Sequence, residues 1–204
     1  MEVAENILFK AGELFHKYGI RSISMDEIAR ELGISKKTIY QYFKDKDDIV
    51  YQVIQRKIET EKIEFDAVYE ASEDAIDELI RLSHCLRNNL NKINPSLLFD
   101  IQKYHPRSWD LWIDFKNNFI KNNVLKSIER GKEEGFFRPQ IDAEILATFR
   151  IEQVQISFDD RIFPRDKFDF TEVQMTLFDH FVHGLLTVKG QEIYDDLTKP
   201  KEND

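Results

Sequence analysis

Apolar residues recur at helical spacing along this chain, and turn residues punctuate them. Val3, Ile7, Leu8, Ala11, Leu14, Phe15 and Tyr18 predict an amphipathic helix over residues 2 to 18, ended by Gly19. Ser24 with Glu27 three residues on forms a capping box for a second helix, whose inner face is Ile28, Ala29 and Leu32. Gly33 stops that helix, and Ser35 is an N-cap for a third, Lys36 to Tyr42. Burying Ile39 and Phe43 turns Lys36, Lys37, Thr38, Tyr40 and Tyr42 outward. A fourth helix follows Lys44-Asp45-Lys46, with Asp45, Asp47 and Asp48 at its positive end and Ile49, Val50, Val53, Ile54 and Ile58 inward. With no Gly or Pro between residues 45 and 94, it should run on through the charged stretch Arg56 to Glu64 toward Tyr69. That polar run marks a seam between a domain of residues 1–61 and one of 62–204.

The second domain reads as helical throughout. Residues 74 to 92 carry Ile76, Leu79, Ile80, Leu86 and Leu90 inward, and Asn94-Pro95 breaks the run. Leu97 to Tyr104 is short and apolar, and His105-Pro106 breaks again. Residues 107 to 130 predict one long helix, closed by Gly131 and Gly135. Asp142 caps a helix to about Phe158, Asp159 to Asp169 is a loop, and Thr171 caps a last helix to about Val188. The tail Lys199 to Asp204 is polar and expected to be unstructured. No alternating strand pattern and no repeat is present. The expected fold is all-α, with about nine helices.

Composition agrees. Only 7 Gly and 5 Pro in 204 residues argue for long helices, and 42% hydrophobic with 33% charged residues fits a globular chain. No run approaches the ~18 apolar residues that cross a bilayer, so no membrane partner is expected. The acidic start lacks a signal-peptide pattern, and a lone Cys85 fits a reducing cytoplasm. Taken alone, the net charge of −9 is ill suited to a polyanionic partner. Its distribution changes that: residues 1–50 hold eight Lys/Arg against nine Asp/Glu, and residues 35–46 hold four lysines against one aspartate. A local cationic face decides phosphate contact.

The first three helices therefore form a helix-turn-helix with a polar, cationic and aromatic outer face, which suits the major groove of double-stranded DNA. Lys36 or Lys37 is expected at a guanine edge and Gln41 at adenine. The residues Tyr18-Gly19, Ser24, Ile28-Ala29, Leu32-Gly33-Ile34-Ser35, Tyr40-Gln41-Tyr42-Phe43 and Lys46-Asp47-Asp48-Ile49 resemble the DNA-binding domain of TetR/AcrR-type (tetracycline-repressor-like) transcriptional regulators. Lys37 departs from the pattern, standing where the family very often has glycine. The resemblance implies phosphate contacts from Ser24, Thr38, Tyr42 and Lys46, a groove-lining Tyr40, and Ser35 within the same surface. Gly131 to Ala143 is also similar to the family's link into its penultimate helix.

The same resemblance implies a larger C-terminal domain that binds a small-molecule inducer and dimerises. The aromatic residues Phe99, Tyr104, Trp109, Trp112, Phe115 and Phe119 either line such a pocket or pack as core, with Gln153, Gln155 and His84 as candidate polar anchors. In the family the last two long helices pair with their twins in a four-helix bundle. This implies a homodimer through Phe149, Val154, Leu177, Phe178, Phe181 and Leu185. His180 and His183 have a spacing that can hold a metal, but without a completing ligand set no metal is expected. His84 and Cys85 are adjacent and point about 100° apart on a helix. No P-loop, dinucleotide fingerprint or Ser/His/Asp set is present, so neither an enzyme nor a cofactor is expected. The functional expectation is a repressor released from a palindromic operator by an inducer. The alternative is a DNA-binding regulator whose C-terminal part serves only dimerisation or a protein partner.

Overall fold

The expected starts of the second and third helices are made by the side chains that chemistry assigns to them. The structure, a computed structural model, describes residues 2–90 and 94–199. Helix α1 is Glu2–Tyr18, α2 Met25–Leu32 and α3 Lys36–Tyr40. Ser24 accepts from the Glu27 N–H at 3.2 Å, and Glu27 accepts from the Ser24 N–H at 2.6 Å, completing the capping box. Gly33 adopts φ 65°, a left-handed conformation that costs glycine little, and its N–H reaches back to the last turn of α2. Ser35 caps α3 by accepting from the Thr38 N–H at 3.0 Å.

Helix α4 is continuous over 26 residues, Lys46–Ala71, as the absence of breakers requires. Then come α5 (Ala75–Leu90), α6 (Ser96–Tyr104), α7 (Pro106–Asp114), α8 (Lys121–Glu133), α9 (Ala143–Ile156), α10 (Phe170–Leu185) and α11 (Val188–Thr198). Among the described residues no strand forms; one isolated bridge joins Phe137 to Leu186.

Three details correct the reading from sequence. Residues 107–130 are helical throughout but not uniformly so: a π-helical turn, Phe115–Ile120, lies between α7 and α8. Phe115 and Lys116 at its start are both buried, and the wider turn changes the register of the helix face beyond it. Asp169, not Thr171, caps α10, accepting from the Glu172 N–H at 2.9 Å. And α10 ends at Leu185, leaving room for α11. Chain 136–138 captures the intervening backbone: Arg138 N–H donates to Leu185 O at 2.9 Å and Thr187 N–H to Phe136 O at 2.8 Å. Helix α11 buries only Gly190 and Tyr194, too sparse a stripe to stand out in the pattern. The tail beyond Lys199 lies outside the described residues.

The chain divides into two compact units, Met1–Lys62 with Asn91–Phe115, and Ile63–Leu90 with Lys116–Asp204. In the first, α1 packs on α2 and α2 on α3, with Ile7, Phe15, Ile28, Ile39, Phe43 and Ile49 buried. Polar contacts pin α6 and α7 into this unit. Asp100 accepts from the Arg21 N–H at 3.1 Å, and His105 Nδ1 lies 2.6 Å from Asp47 Oδ1. In the second, α5, α8, α9, α10 and α11 enclose a core of Ile76, Leu79, Ile128, Phe137, Val182 and Leu185. Buried Glu78 on α5 meets Arg130 of α8 at 3.3 Å and accepts from the Ser127 hydroxyl.

Gly131 faces the fully buried ring of Phe137: a Cβ there would sit 2.1 Å from Cδ2. Gly131→Ala should therefore destabilise the chain by about 1–3 kcal/mol, the usual cost of overpacking. Denaturant unfolding against the wild type measures it, and an unchanged midpoint would contradict this packing.

Candidate nucleic-acid interface

Burial of Ile39 (0% exposed) and Phe43 (2%) fixes the roll of α3. With these two inward, Lys36, Lys37, Tyr40, Gln41 and Tyr42 are exposed and Thr38 is half-buried. Tyr40 and Tyr42 keep 49% and 45% of their surface in solvent. The Lys36 ammonium reaches back to Asp26 at 2.8 Å, and this bond raises its pKa. Both side chains are solvent-exposed, so the pair is weak and easily exchanged for a phosphate or base edge. Lys37 makes no ion pair among the described residues. Ser24 and Ser35 are occupied as caps, and the Ser35 hydroxyl also lies 2.8 Å from that of Thr38.

Lys46, for which the resemblance implied a phosphate contact, is intermediate in exposure and engages the protein's own backbone. Its Nζ donates to the Ile20 carbonyl at 2.6 Å. Burial depresses its pKa, partly offset by Asp100 and Glu27. The ammonium thus ties the start of α4 to the turn after α1, which steadies the helix-turn-helix from behind.

The expected pocket residues are not gathered together. Phe99 and Tyr104 are exposed on α6, each beneath the ammonium of Lys103. Trp112 packs on Phe115 at 6.0 Å within the first unit, where Trp109 is half-buried. Phe119 meets Phe65 edge-on in the second unit, and Gln153 is buried there with Oε1 unpaired. A cavity of about 60 Å3 does lie in the second unit, and none of these seven residues lines it. Its walls include Val68 of α4, Leu79 and Leu82 of α5 and Val124 of α8. Phe178, Phe181 and Leu185, expected at a dimer interface, also line it and belong to the chain's own core. Apolar spacing alone does not distinguish an inward from an intermolecular face. Val154 and Leu177 are half-buried, and Phe149 is half exposed. Among the described residues no His/Cys/Asp/Glu cluster could hold a metal ion, and no helix is long and apolar enough to cross a membrane.

A capped helix pair presenting lysines and tyrosines on one face defines a helix-turn-helix module. Residues 7–53 match the family described as bacterial regulatory proteins, tetR family. A Staphylococcus aureus protein (strain bovine RF122 / ET3-1) named as an HTH-type transcriptional regulator is 32% identical over 123 residues, covering 53% of this chain and 64% of the relative. The chain thus spans less than two thirds of the curated relatives it matches. Among solved structures, a putative transcriptional regulator from Saccharomonospora viridis in complex with choline superposes with TM-score 0.75 at 22% identity, covering 91% of this chain and 98% of its own. A TetR-family regulator from Agrobacterium tumefaciens gives 0.74 at 16%, covering 90% and 97%. At these identities the likeness is one of fold.

Replacing Lys46 by alanine removes a charge-assisted hydrogen bond to a carbonyl. The expected cost is about 1–2 kcal/mol of stability in the first unit, read as a lower denaturation midpoint. A variant as stable as wild type would return Lys46 to the pool of free phosphate contacts.

Proposed function

We propose that this chain is a DNA-binding transcriptional regulator, a homodimeric repressor whose grip on a palindromic operator is released by a small molecule. The observation that carries the reading is the outward face of α3: Lys36, Lys37, Tyr40, Gln41 and Tyr42 exposed on a helix whose other side is locked in the core. Lys36 or Lys37 reads a guanine edge, Gln41 an adenine, and the tyrosines and Thr38 contact backbone. Two such helices about 34–36 Å apart meet successive major grooves, which requires a symmetric dimer. Helix α9 supports one: Ile145, Phe149 and Ile156 are 64%, 50% and 40% exposed and recur along one side, an apolar stripe that water covers poorly.

Helix α4 carries both Lys46, behind the reading head, and Val68 and Tyr69, at the cavity. A ligand that prefers the released form acts through this helix. A full switch needs about 5 kcal/mol of differential affinity. The choline complex of the S. viridis protein supports a small-molecule site in this fold. A second reading, a regulator whose C-terminal part only dimerises, draws support from the cavity's size: about 60 Å3, well below the roughly 300 Å3 of drug-sized sites. A thermal-shift screen separates them, because a ligand of the folded state raises the melting temperature.

Selecting bound duplexes from a random pool tests DNA recognition directly; an unselected pool would refute it. On the selected site, Lys36→Ala should cut the preference over a scrambled duplex by about tenfold or more. Equal losses on both duplexes would make Lys36 a phosphate contact, with the log K–log salt slope reduced by about 1.

Placing a charge on the α9 stripe tests the assembly. Phe149→Glu should move the protein toward monomer in sedimentation and weaken operator binding in step. A dimer that persists would locate the interface elsewhere.

A further inference from the structure

Arg150 of α9 is 6% exposed and faces the cavity of the second unit. Its guanidinium lies over the rings of Phe178 and Phe181, at 5.2 and 5.8 Å. Nη1 has no hydrogen-bond partner among the described residues. Burial lowers the pKa of the group to about 10, and no neighbouring carboxylate opposes the shift; the group is still cationic near neutral pH. A buried charge without a counter-ion is costly, and ring faces offset only part of that cost. The carboxyl group at the cavity, Glu78, is already engaged by Arg130 and Ser127. The remaining walls are largely apolar, with Val68, Leu79, Leu82 and Val124 among them.

We propose that this cavity binds a small organic acid, its carboxylate taken by the unpaired Nη1 of Arg150 and its apolar body held by the surrounding aliphatic and aromatic walls. The proposal rests on the reading of the second unit as a ligand domain and names the ligand's charge. A planar guanidinium donates to a carboxylate in a fixed geometry, so the acid completes the hydrogen bonding that the free protein leaves open. At roughly 10–15 Å3 per water, the cavity holds on the order of five waters, or a compact acid of similar bulk.

The test titrates benzoate and 3-phenylpropionate, with benzamide and 3-phenylpropanamide as neutral counterparts, into the full chain by calorimetry and thermal shift. At least one acid should bind about tenfold or more tightly than its amide. Arg150→Met should abolish that advantage while keeping the fold, because it removes an uncompensated charge at similar length. Arg150→Lys, which keeps the charge, should retain part of it and serves if the methionine variant fails to fold. Amides that bind wild type as well as acids would overturn the anion assignment and leave the ligand cavity standing. An acid preference that survives in Arg150→Met would overturn it too. Failure of every probe on wild type would overturn the assignment together with the cavity's role as a ligand site.

Discussion

The tight turn at Gly33 and the burial of Ile39 and Phe43 behind it form the constraint on which the molecule's reading surface depends. A left-handed residue at the end of α2 reverses the chain within two residues. The Ser35 cap then starts α3 without a stretch of loop. Once Ile39 is inside, helical geometry leaves no choice for Lys36, Lys37 and Tyr40: they face solvent. The lysines are thus positioned by apolar burial, and their weak surface bonds, such as Lys36 to Asp26, do not hold them in place.

This module is braced by polar contacts that amphipathic pattern does not encode. Lys46 holds the Ile20 carbonyl, Asp100 takes the Arg21 N–H, and His105 meets Asp47. Each joins residues far apart in sequence, and each satisfies a backbone or charged group that would otherwise be left partly desolvated and unpaired. The segment carrying α6 and α7 thereby becomes part of the same unit as the helix-turn-helix.

The second unit handles buried charge in two ways. Glu78 is surrounded by donors from Arg130 and Ser127, so its carboxylate is satisfied within the protein. Arg150 is buried to a similar degree without such a partner. The contrast between one satisfied and one unsatisfied ion on the walls of one cavity gives that cavity its chemical character. Two of its aromatic walls, Phe178 and Phe181, come from α10, whose spacing is equally compatible with a core or a subunit interface.

Local chemistry was legible where one residue acts on its own backbone. The Ser24–Glu27 box, the Ser35 and Asp142 caps, the Gly33 turn and the uninterrupted run into α4 all depend on residues within a turn of each other. They and the helical periodicity determine an all-α chain with an outward-facing α3. Partnership across the fold was not legible. Whether Phe181 faces a cavity or a second subunit, whether Lys46 meets a phosphate or the Ile20 carbonyl, and whether Arg150 is paired all depend on what other helices bring alongside. Periodicity reports which side of a helix is apolar and is silent on the neighbour that covers it.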